Sequence, residues 1–392
     1  MLDIEGMLNA IRGENLSGWL FYNIWHRDEI ADALLEVPRS RSNSRPWVCL
    51  LCPGHPAVRI VHRIEASILD HIPGEKILYY TRQEFLEALG RAMPRAAAFA
   101  ANYSPGIPVG SFLDHGAALL FRSFGAALVP SETLVARCLG GLSAEGRRTH
   151  EAAAQVLYGA VADAWSRIGA AFAEGRTVTE GQARDWILAS LDAAGMESDA
   201  PPIVGAGRHT ADPHFSVAAG GAALEQGEVV QFDLWAKMKT PGAVYADISW
   251  LGVCAPAPTA EQKRLFDAVV QAREAALSLL QRRLTEGVPV SGADVDGAAR
   301  AALVKAGFEE LIKHRTGHSI GTRVHGFGVN LDSVEFPDNR ALTDGARFSI
   351  EPGLYREDFG MRTEIDCLIH DGRAMVTGGQ RQTELLTVRR AL

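Results

Sequence analysis

Four carboxylates and one histidine interrupt apolar, strand-like segments in the second half of the chain, and their side chains are of the types that bind metal ions. They are Asp233, Asp247, His318, Glu351 and Glu364. A single acid of this kind usually lies on the solvated face of a strand. Four in one region argue against that interpretation, because charged groups are rarely buried unless they are paired or bound to metal.

The spacing of the first two acids suggests why a metal would be needed. A Pro-Gly turn at residues 241–242 separates Asp233 from Asp247, so antiparallel pairing around this turn would bring the two carboxylates together. Two carboxylates in contact repel, and one would have to take up a proton unless a cation is present. Four carboxylates carry a charge of about −4, which two divalent ions balance. Oxygen donors with one imidazole suit manganese, cobalt or zinc.

The elements that would position these residues form two similar pairs of helices, each followed by strand-rich sequence. Amphipathic helices are predicted over residues 143–174 and 179–195. A second pair is predicted over residues 259–284 and 291–306. A glycine ends the second helix of each pair, as is typical of helix C-termini.

The two helix pairs match each other as an internal repeat. Residues 174–196 align without gaps on residues 286–308, with seven identities in 23 positions. Chance similarity between two capped amphipathic helices is the alternative. If the repeat is real, we expect two related halves arranged around a pseudo-twofold axis, a sheet covered by helices, and a site near that axis.

The first part of the chain alternates strand-like and helix-like segments, which predicts an α/β layer domain. The strands are predicted at residues 17–24, 47–52, 76–80 and 96–101. A helix begins at Thr81 with a capping-box signature. The pattern loosens around residues 129–141, and we therefore expect domains at 1–135 and 136–392. The first domain contains no dense set of polar residues that would indicate catalysis.

Charge and apolar pattern exclude several classes of protein. The chain of 392 residues has 47 acidic and 39 basic residues, a net charge of −8, which argues against non-specific nucleic-acid binding. Its apolar runs are too short to span a bilayer, and the first residues lack the pattern of a signal peptide. We expect no nucleic-acid or membrane partner.

The cysteines indicate a reduced, cytoplasmic protein. Five is an odd number, so a complete disulfide framework is excluded. Cys49 and Cys52 have the spacing of a redox or metal pair. A buried strand ending at Pro53 is the favoured interpretation, because residues three apart on a strand face opposite sides and no second pair exists.

The ordered set Asp, Asp, His, Glu, Glu resembles the pita-bread metallopeptidases, the family of creatinase, prolidase and aminopeptidase P. The segments Gly-His-Ser-Ile-Gly at 317–321, Ile-Glu-Pro-Gly-Leu-Tyr at 350–355 and Gly-Met-Arg-Thr-Glu at 360–364 are similar to its metal motifs. The resemblance covers residues 140–392. It implies an α/β N-terminal domain of the creatinase type, followed by an α+β pita-bread catalytic domain with a pseudo-twofold internal repeat.

The resemblance implies a role for each of the five residues. Asp233 would chelate one metal ion, His318 and Glu351 would bind the other, and Asp247 and Glu364 would bridge both. The cofactors implied are two divalent metal ions, manganese first and cobalt or zinc as alternatives.

The resemblance also implies catalytic roles. Glu351 would orient and deprotonate the attacking water. His214 matches a family histidine near the substrate. His314 and His325 match histidines that would contact substrate and stabilise the tetrahedral intermediate, and Arg362 matches an arginine beside the last glutamate. A metal-bridging hydroxide would hydrolyse small peptides with proline at the second position, as an Xaa-Pro aminopeptidase or an Xaa-Pro dipeptidase. Family members are commonly dimers or tetramers, so a homo-oligomer is expected.

Some residues depart from the family pattern. Ser249 and Trp250 stand where Thr-Arg is common, Gly326 and Phe327 follow His325 where Glu-Pro is common, and the gap between the two aspartates is slightly long. Two alternatives therefore stay open. One is an enzyme of the same fold with non-peptide chemistry, either a metal-dependent lyase or a creatinase-like hydrolase. The other is a catalytically inactive interaction module.

Overall fold

The computed structural model describes residues 2–94, 97–141, 143–217 and 220–388. Spatial clustering divides the chain into two compact units, Met1–Leu139 and Gly140–Leu392. The domain limits of 1–135 and 136–392 expected from the sequence stay a prediction. Ala96 of a predicted strand and residues 389–392 of the second expected domain lie outside the described residues.

The first unit is a six-stranded mixed sheet with helices, which agrees with the predicted α/β class. Its elements are α1 (Ile4–Gly13), β1 (Gly18–Asn23), α2 (Glu29–Leu34), β2 (Trp47–Leu51), β3 (Ala57–His62), β4 (Gly74–Tyr79), α3 (Arg82–Ala92), β5 (Ala98–Ala101), α4 (His115–Ser123), β6 (Ala127–Pro130) and α5 (Glu132–Gly140), the last of which ends at the unit boundary. The strand order is β4-β3-β2-β1-β5-β6. Strands β3 and β6 are absent from the sequence-based prediction.

Burial explains the cysteine pair of this unit. Every residue of β2 is buried, Cys49 lies at its centre, and Cys52 follows its end. Both thiols are free. Burial raises the pKa of Cys49 to about 12, so its thiolate, the form that reacts and binds metal, is disfavoured. The strand interpretation accounts for both residues.

Two helix pairs dominate the second unit and carry the predicted caps. They are α6 (Ala144–Ala173), α7 (Glu180–Ala193), α8 (Ala260–Thr285) and α9 (Gly292–Lys305). Thr179 and Ser291, the equivalent residues of the repeat, both cap their helices with complete capping boxes. The glycines after the second helices, Gly195 and Gly307, both have positive φ, 68° and 83°. No helix of the described residues is long and apolar enough to cross a membrane.

Ten strands complete the described part of the second unit. They are β7 (Met196–Glu197), β8 (Ile203–Ala206), β9 (Val229–Met238), β10 (Ala246–Val253), β11 (Arg347–Ile350), β12 (Gly353–Tyr355), β13 (Gly360–Arg362), β14 (Ile365–His370), β15 (Arg373–Val376) and β16 (Leu386–Thr387). One sheet has the order β16-β10-β9-β7, with β8 also paired to β9. A second sheet is β11-β14-β15, and β12 pairs with β13. The fold is the predicted α+β class.

Helix α6 covers one face of β9 and β10 and forms the main core with it. The ring of Trp165 on α6 lies edge-on to Phe232 on β9, with centroids 6.0 Å apart. Trp250 on β10 packs on this same side, 5.8 Å from Tyr158. Gly252 is required beside them, because a Cβ at this position would lie 2.2 Å from Trp165. Successive residues of a strand point to opposite faces, so the residues directly before and after Trp250 are directed to the other face of the sheet.

Replacing Gly252 by alanine should destabilise the second unit by about 1–3 kcal/mol, because the added methyl group overpacks the Trp165 contact. A Cβ added at Gly297 in α9 would meet no atom within 4 Å. The matched change Gly297→Ala should therefore be neutral or should stabilise by about 0.5–1 kcal/mol. Urea denaturation measures both free energies of unfolding. Equal effects of the two substitutions would contradict the assigned contact.

Candidate active site

The β9–β10 hairpin directs the two aspartates to one face. Asp233 lies opposite Ser249, and Asp247 lies opposite Trp235. Cross-strand partners point to the same side of a sheet and alternate residues share a face, so Asp233, Ser249 and Asp247 project together. The long connection noted in the sequence leaves this register intact. Both carboxylates are buried.

Hydrogen bonds between segments that are distant in the sequence bring in His318, Glu351 and Glu364. The Ser349 N–H donates to the His318 carbonyl (2.9 Å), and the Ser349 Oγ accepts from the His318 N–H (3.0 Å). Glu351 directly follows the same strand, β11. The Glu364 N–H donates to the carbonyl of Ser249 on β10 (3.1 Å). The site is thus assembled from segments more than 100 residues apart.

The side chains converge closely enough to share cations. His318 Nε2 lies 3.4 Å from Asp247 Oδ2 and 3.6 Å from Glu351 Oε1. One donor atom each of Asp247, His318 and Glu364 lies within 4.8 Å of the others. Asp247 Oδ1 and Glu364 Oε1 are buried and have no hydrogen-bond partner among the described residues. Such orphaned oxygens beside an imidazole have the chemistry of a divalent-cation site.

Arg362 neutralises one side of this cluster. Its Nη2 pairs with Asp233 Oδ2, its Nε donates to Ser249 Oγ (3.1 Å), and its Nη1 donates to the Tyr355 hydroxyl (3.2 Å). Ser249 Oγ also lies 3.1 Å from Asp233 Oδ1 and 2.8 Å from Glu364 Oε2. Ser249, which stands where threonine is common in the family pattern, therefore provides a hydroxyl at this position. Both oxygens of Asp233 have protein partners, whereas Asp247 and Glu364 each have one buried oxygen without a hydrogen-bond partner among the described residues.

The three histidines around the cluster differ in their bonding. The Nδ1 of His314 donates to the Arg315 carbonyl (2.6 Å), so its Nε2 accepts from the Tyr355 hydroxyl (2.7 Å). Desolvation lowers the pKa of His314, which favours this neutral form. The ring of His325 lies 4.3 Å from that of His318, edge to face. His214 is exposed at the rim.

All nine side chains that the sequence analysis singles out line one cavity of about 420 Å³. They are Asp233, Asp247, His318, Glu351 and Glu364, with His214, His314, His325 and Arg362 around them. Seven further residues complete the lining and were missed by the sequence analysis. They are Ile203, Pro213, Trp235, Lys313, Arg315, Val324 and Glu335. Only Lys313 and Arg315 had a signal in the sequence, because they are basic residues on either side of His314.

The protonation of the cluster reflects burial and crowding. Burial, and then the neighbouring Asp233 and Glu351, raise the pKa of Asp247 well above its usual value. Burial and then Asp247 raise the pKa of Glu364 in the same way. The free site therefore favours bound protons at these carboxylates, and a cation that binds there must displace them.

Asp366 was also missed by the sequence analysis. Its Oδ2 accepts the main-chain N–H of Asp247 (2.9 Å), and its side chain is almost fully buried. Burial, followed by the charge of Asp247, raises the pKa of Asp366. Its signal in the sequence was one further acid within an apolar strand, two residues after Glu364. Asp366 holds the backbone of Asp247 in place across two strands.

A buried cluster of carboxylates and imidazole, held between two repeated helix pairs, defines the class of pita-bread metallopeptidases. The sequence profile of metallopeptidase family M24 matches residues 146–371, more than half of the chain, and the chain belongs to this family. The resemblance stated from the motifs is thereby confirmed.

Known proteins extend this comparison. An Xaa-Pro dipeptidase from Lactobacillus delbrueckii subsp. lactis is 32% identical over 197 residues, 50% of this chain and 49% of the relative. The chain thus spans about half the length of the curated relatives it matches. The crystal structure of dipeptidase PepE from Mycobacterium ulcerans has a TM-score of 0.75 at 22% identity, covering 98% of this chain and 96% of that chain.

The same fold occurs under a different name. The N-terminal domain of FACT complex subunit SPT16 from Cicer arietinum has a TM-score of 0.70 at 13% identity, covering 99% of this chain and 100% of that chain. These structural likenesses confirm the fold class alone. The function has to be argued from the site.

The raised carboxyl pKa values predict the pH dependence of stability after chelation. The folded chain holds protons on Asp247, Glu364 and Asp366 above the pH at which the unfolded chain releases them. The free energy of unfolding should therefore fall as pH rises from the ordinary carboxyl range, about 4, through the raised values. Urea denaturation of chelator-treated protein at several pH values measures this. Glu364→Gln should flatten the curve, and an unchanged slope would contradict the assignment.

Proposed function

We propose that this chain is a divalent-metal exopeptidase that hydrolyses Xaa-Pro bonds, as an aminopeptidase or a dipeptidase. The observation that carries the proposal is the pair of buried, unpartnered oxygens of Asp247 and Glu364 next to His318. Membership of family M24 and the Xaa-Pro dipeptidase relative support it.

The metal-holding roles follow from the donor set. Asp247, His318 and Glu364 would form its centre, with Asp233 and Glu351 completing a site for two ions, manganese first. When bound there, divalent ions lower the pKa of a water molecule and polarise the substrate carbonyl. Arg362 and Ser249 would hold Asp233 in position through its two oxygens.

Glu351 is the proposed general base. The Ser349 hydroxyl contacts its Oε1 (3.1 Å), and Arg362 Nε lies 3.7 Å from its Oε2. Burial acts to raise the pKa of Glu351, but the nearby His318 imidazole and then the Arg362 guanidinium outweigh it, and the pKa is lowered. Glu351 is thus ionised and fixed, ready to take a proton from water and pass it to the leaving nitrogen.

His325 is the first candidate to stabilise the developing oxyanion. His314 was expected to share this role, but its Nε2 is occupied by the Tyr355 hydroxyl. His325 lines the cavity beside His318, and its ring makes no hydrogen bond with a described residue. We assign His314 to orienting Tyr355, which in turn receives a hydrogen bond from Arg362.

The rest of the cavity suits a proline side chain. Ile203, Pro213, Trp235 and Val324 provide an apolar wall next to the polar cluster. An Xaa-Pro amide is tertiary and has no N–H to donate, so recognition must come from the pyrrolidine ring and the groups that flank it. The homo-oligomer and the cytoplasmic location stay predictions.

Chelation should abolish Xaa-Pro hydrolysis, and manganese, cobalt or zinc should restore it. The same ions should also raise the unfolding midpoint. At a 100-fold excess of the ion over Kd, the free energy of unfolding should increase by about 2.7 kcal/mol. The double variant Asp247→Asn, Glu364→Gln should lose most of this stabilisation. Dipeptides, longer Xaa-Pro-Yaa peptides and proline-free peptides are assayed in parallel. Activity that survives exhaustive chelation, or is absent from every Xaa-Pro substrate, would refute the proposal.

Glu351→Gln should lower kcat by about 10²–10⁴-fold, because the amide cannot accept the proton. Steady-state kinetics on an Xaa-Pro dipeptide measure the change. Glu357→Gln is a matched control, since Glu357 is exposed and lies outside this cavity. Its kcat should be that of the unmodified chain. Near-normal turnover by Glu351→Gln would remove the proton-transfer role.

A further inference from the structure

The indole ring of Trp235 lies beside the carboxylate cluster, on the same face of the sheet. Trp235 is two residues after Asp233 on β9 and directly opposite Asp247 on β10. Alternate residues of a strand share a face, and the Cβ atoms of directly opposite residues are about 4.5–5.5 Å apart. The half-buried ring lines the cavity. It therefore takes up space immediately next to Asp247.

Two sets of contacts hold this ring in place. The Trp235 Nε1–H donates to Asp199 Oδ1 (2.6 Å). The ring also packs on a small apolar patch, whose buried members are Val244, Tyr245, Ile320 and Val324. Moving the ring aside would break a charge-assisted hydrogen bond and expose the apolar surface of the patch. The indole is therefore a fixed part of the cavity wall.

The patch is fixed in its turn by bonds between distant segments. The Tyr245 N–H donates to the Gly321 carbonyl (2.9 Å). Lys237 Nζ donates to the Thr322 carbonyl (2.9 Å) and lies 4.9 Å from the centroid of the Tyr245 ring. These contacts join β9 and the residue before β10 to the segment that supplies half of the patch. A bulky substrate side chain would therefore press against a wall that cannot recede.

The charge at this end of the cavity indicates which part of a substrate lies there. Asp199 accepts the indole N–H, but no lysine or arginine of the described residues pairs with its carboxylate. The N-terminal residue of an exopeptidase substrate carries a free ammonium group, and a cation is favoured near an unpaired carboxylate. We therefore expect residue Xaa of an Xaa-Pro substrate beside Trp235, which leaves the rest of the apolar wall for the proline ring.

We propose that Trp235 is a specificity-determining residue that limits the size of the Xaa side chain. The preferred substrates are then Xaa-Pro peptides whose first residue is small, such as glycine or alanine. Asp199 is the positioning residue that holds the ring. This inference rests on the proposed function and names the class of Xaa-Pro substrate that the site takes.

Substrates that differ only in the Xaa side chain test the size limit. They are Ala-Pro, Leu-Pro and Phe-Pro, each also extended by a C-terminal alanine. The unmodified chain, loaded with manganese, should hydrolyse the Ala-Pro substrates with a kcat/KM about 10–100-fold above that for the larger ones. Trp235→Ala should raise kcat/KM for the Leu-Pro and Phe-Pro substrates about tenfold and change that for Ala-Pro by less than about threefold. Trp235→Phe, with a smaller ring, should give an intermediate ratio.

Variants of Asp199 separate the position of the ring from the charge of the carboxylate. Asp199→Ala removes the acceptor of the indole N–H and should lower the preference for Ala-Pro over Phe-Pro by about threefold or more. Asp199→Asn keeps an acceptor oxygen and should retain the preference. A merely structural role would lower the turnover of all substrates together and leave their ratio unchanged.

The matched control is Asp192→Ala. Asp192 is an exposed carboxylate that pairs with Lys239 (3.1 Å) and lies outside the cavity. Its ratio of kcat/KM for Ala-Pro to that for Phe-Pro should equal that of the unmodified chain. Urea denaturation shows which variants are folded, and Trp235→Phe and the Asp199 variants carry the test if Trp235→Ala does not fold.

The outcomes separate this proposal from the proposed function. Equal kcat/KM for Ala-Pro and Phe-Pro in the unmodified chain, or an unchanged ratio in the folded Trp235 variants, would overturn the size limit and leave the exopeptidase assignment standing. A loss of preference in Asp199→Asn as large as that in Asp199→Ala would overturn the role of the hydrogen bond. A metal-loaded chain that hydrolyses no Xaa-Pro substrate of either length would refute the proposed function and the size limit with it.

Discussion

The structure of the second unit depends on burying like charges close together. Asp247 and Glu364 lie in the interior with an unpartnered oxygen each, which is costly unless protons or cations balance the charge. Rigid surroundings are needed to keep them there. Arg273, buried on α8, donates to Thr363 Oγ1 (2.8 Å) and to the Gln382 carbonyl (2.9 Å), and so fixes the chain beside Glu364. Packing against helices thus holds in place groups that repel one another.

The cluster is electrostatically asymmetric. Arg362 and Ser249 satisfy Asp233, so the protein itself balances that side. No cationic side chain of the described residues pairs with Asp247 or Glu364 other than His318, which desolvation keeps toward its neutral form by lowering its pKa. The unbalanced negative charge therefore lies mainly on the side of Asp247 and Glu364. This asymmetry connects the raised carboxyl pKa values to the proposed cation binding.

Local signals made much of the fold predictable. A helix cap such as Thr179 acts on the first turn of its own helix, so a few neighbouring residues reveal it. The alternation of side chains between the two faces of the strand around Asp233 likewise follows from the strand alone. Tertiary contacts were not predictable in this way. Asp366 acts on Asp247 across 119 positions of chain, and no local sequence pattern reveals a contact of this length. Trp250, one of the departures from the family pattern, packs on Tyr158 in the core and is not among the described residues that line the cavity.

Neither half of the repeat could hold the site alone. Asp233 and Asp247 follow the first helix pair, whereas His318, Glu351 and Glu364 follow the second. Either half of the repeat without the other would expose its carboxylates to water. It would also lose the hydrogen bond from the Glu364 N–H to the Ser249 carbonyl, which joins the two halves. The N-terminal domain of a FACT complex subunit has a similar fold. The case for an enzyme therefore rests on the unpartnered oxygens of Asp247 and Glu364 and on the cavity around them, and not on the fold.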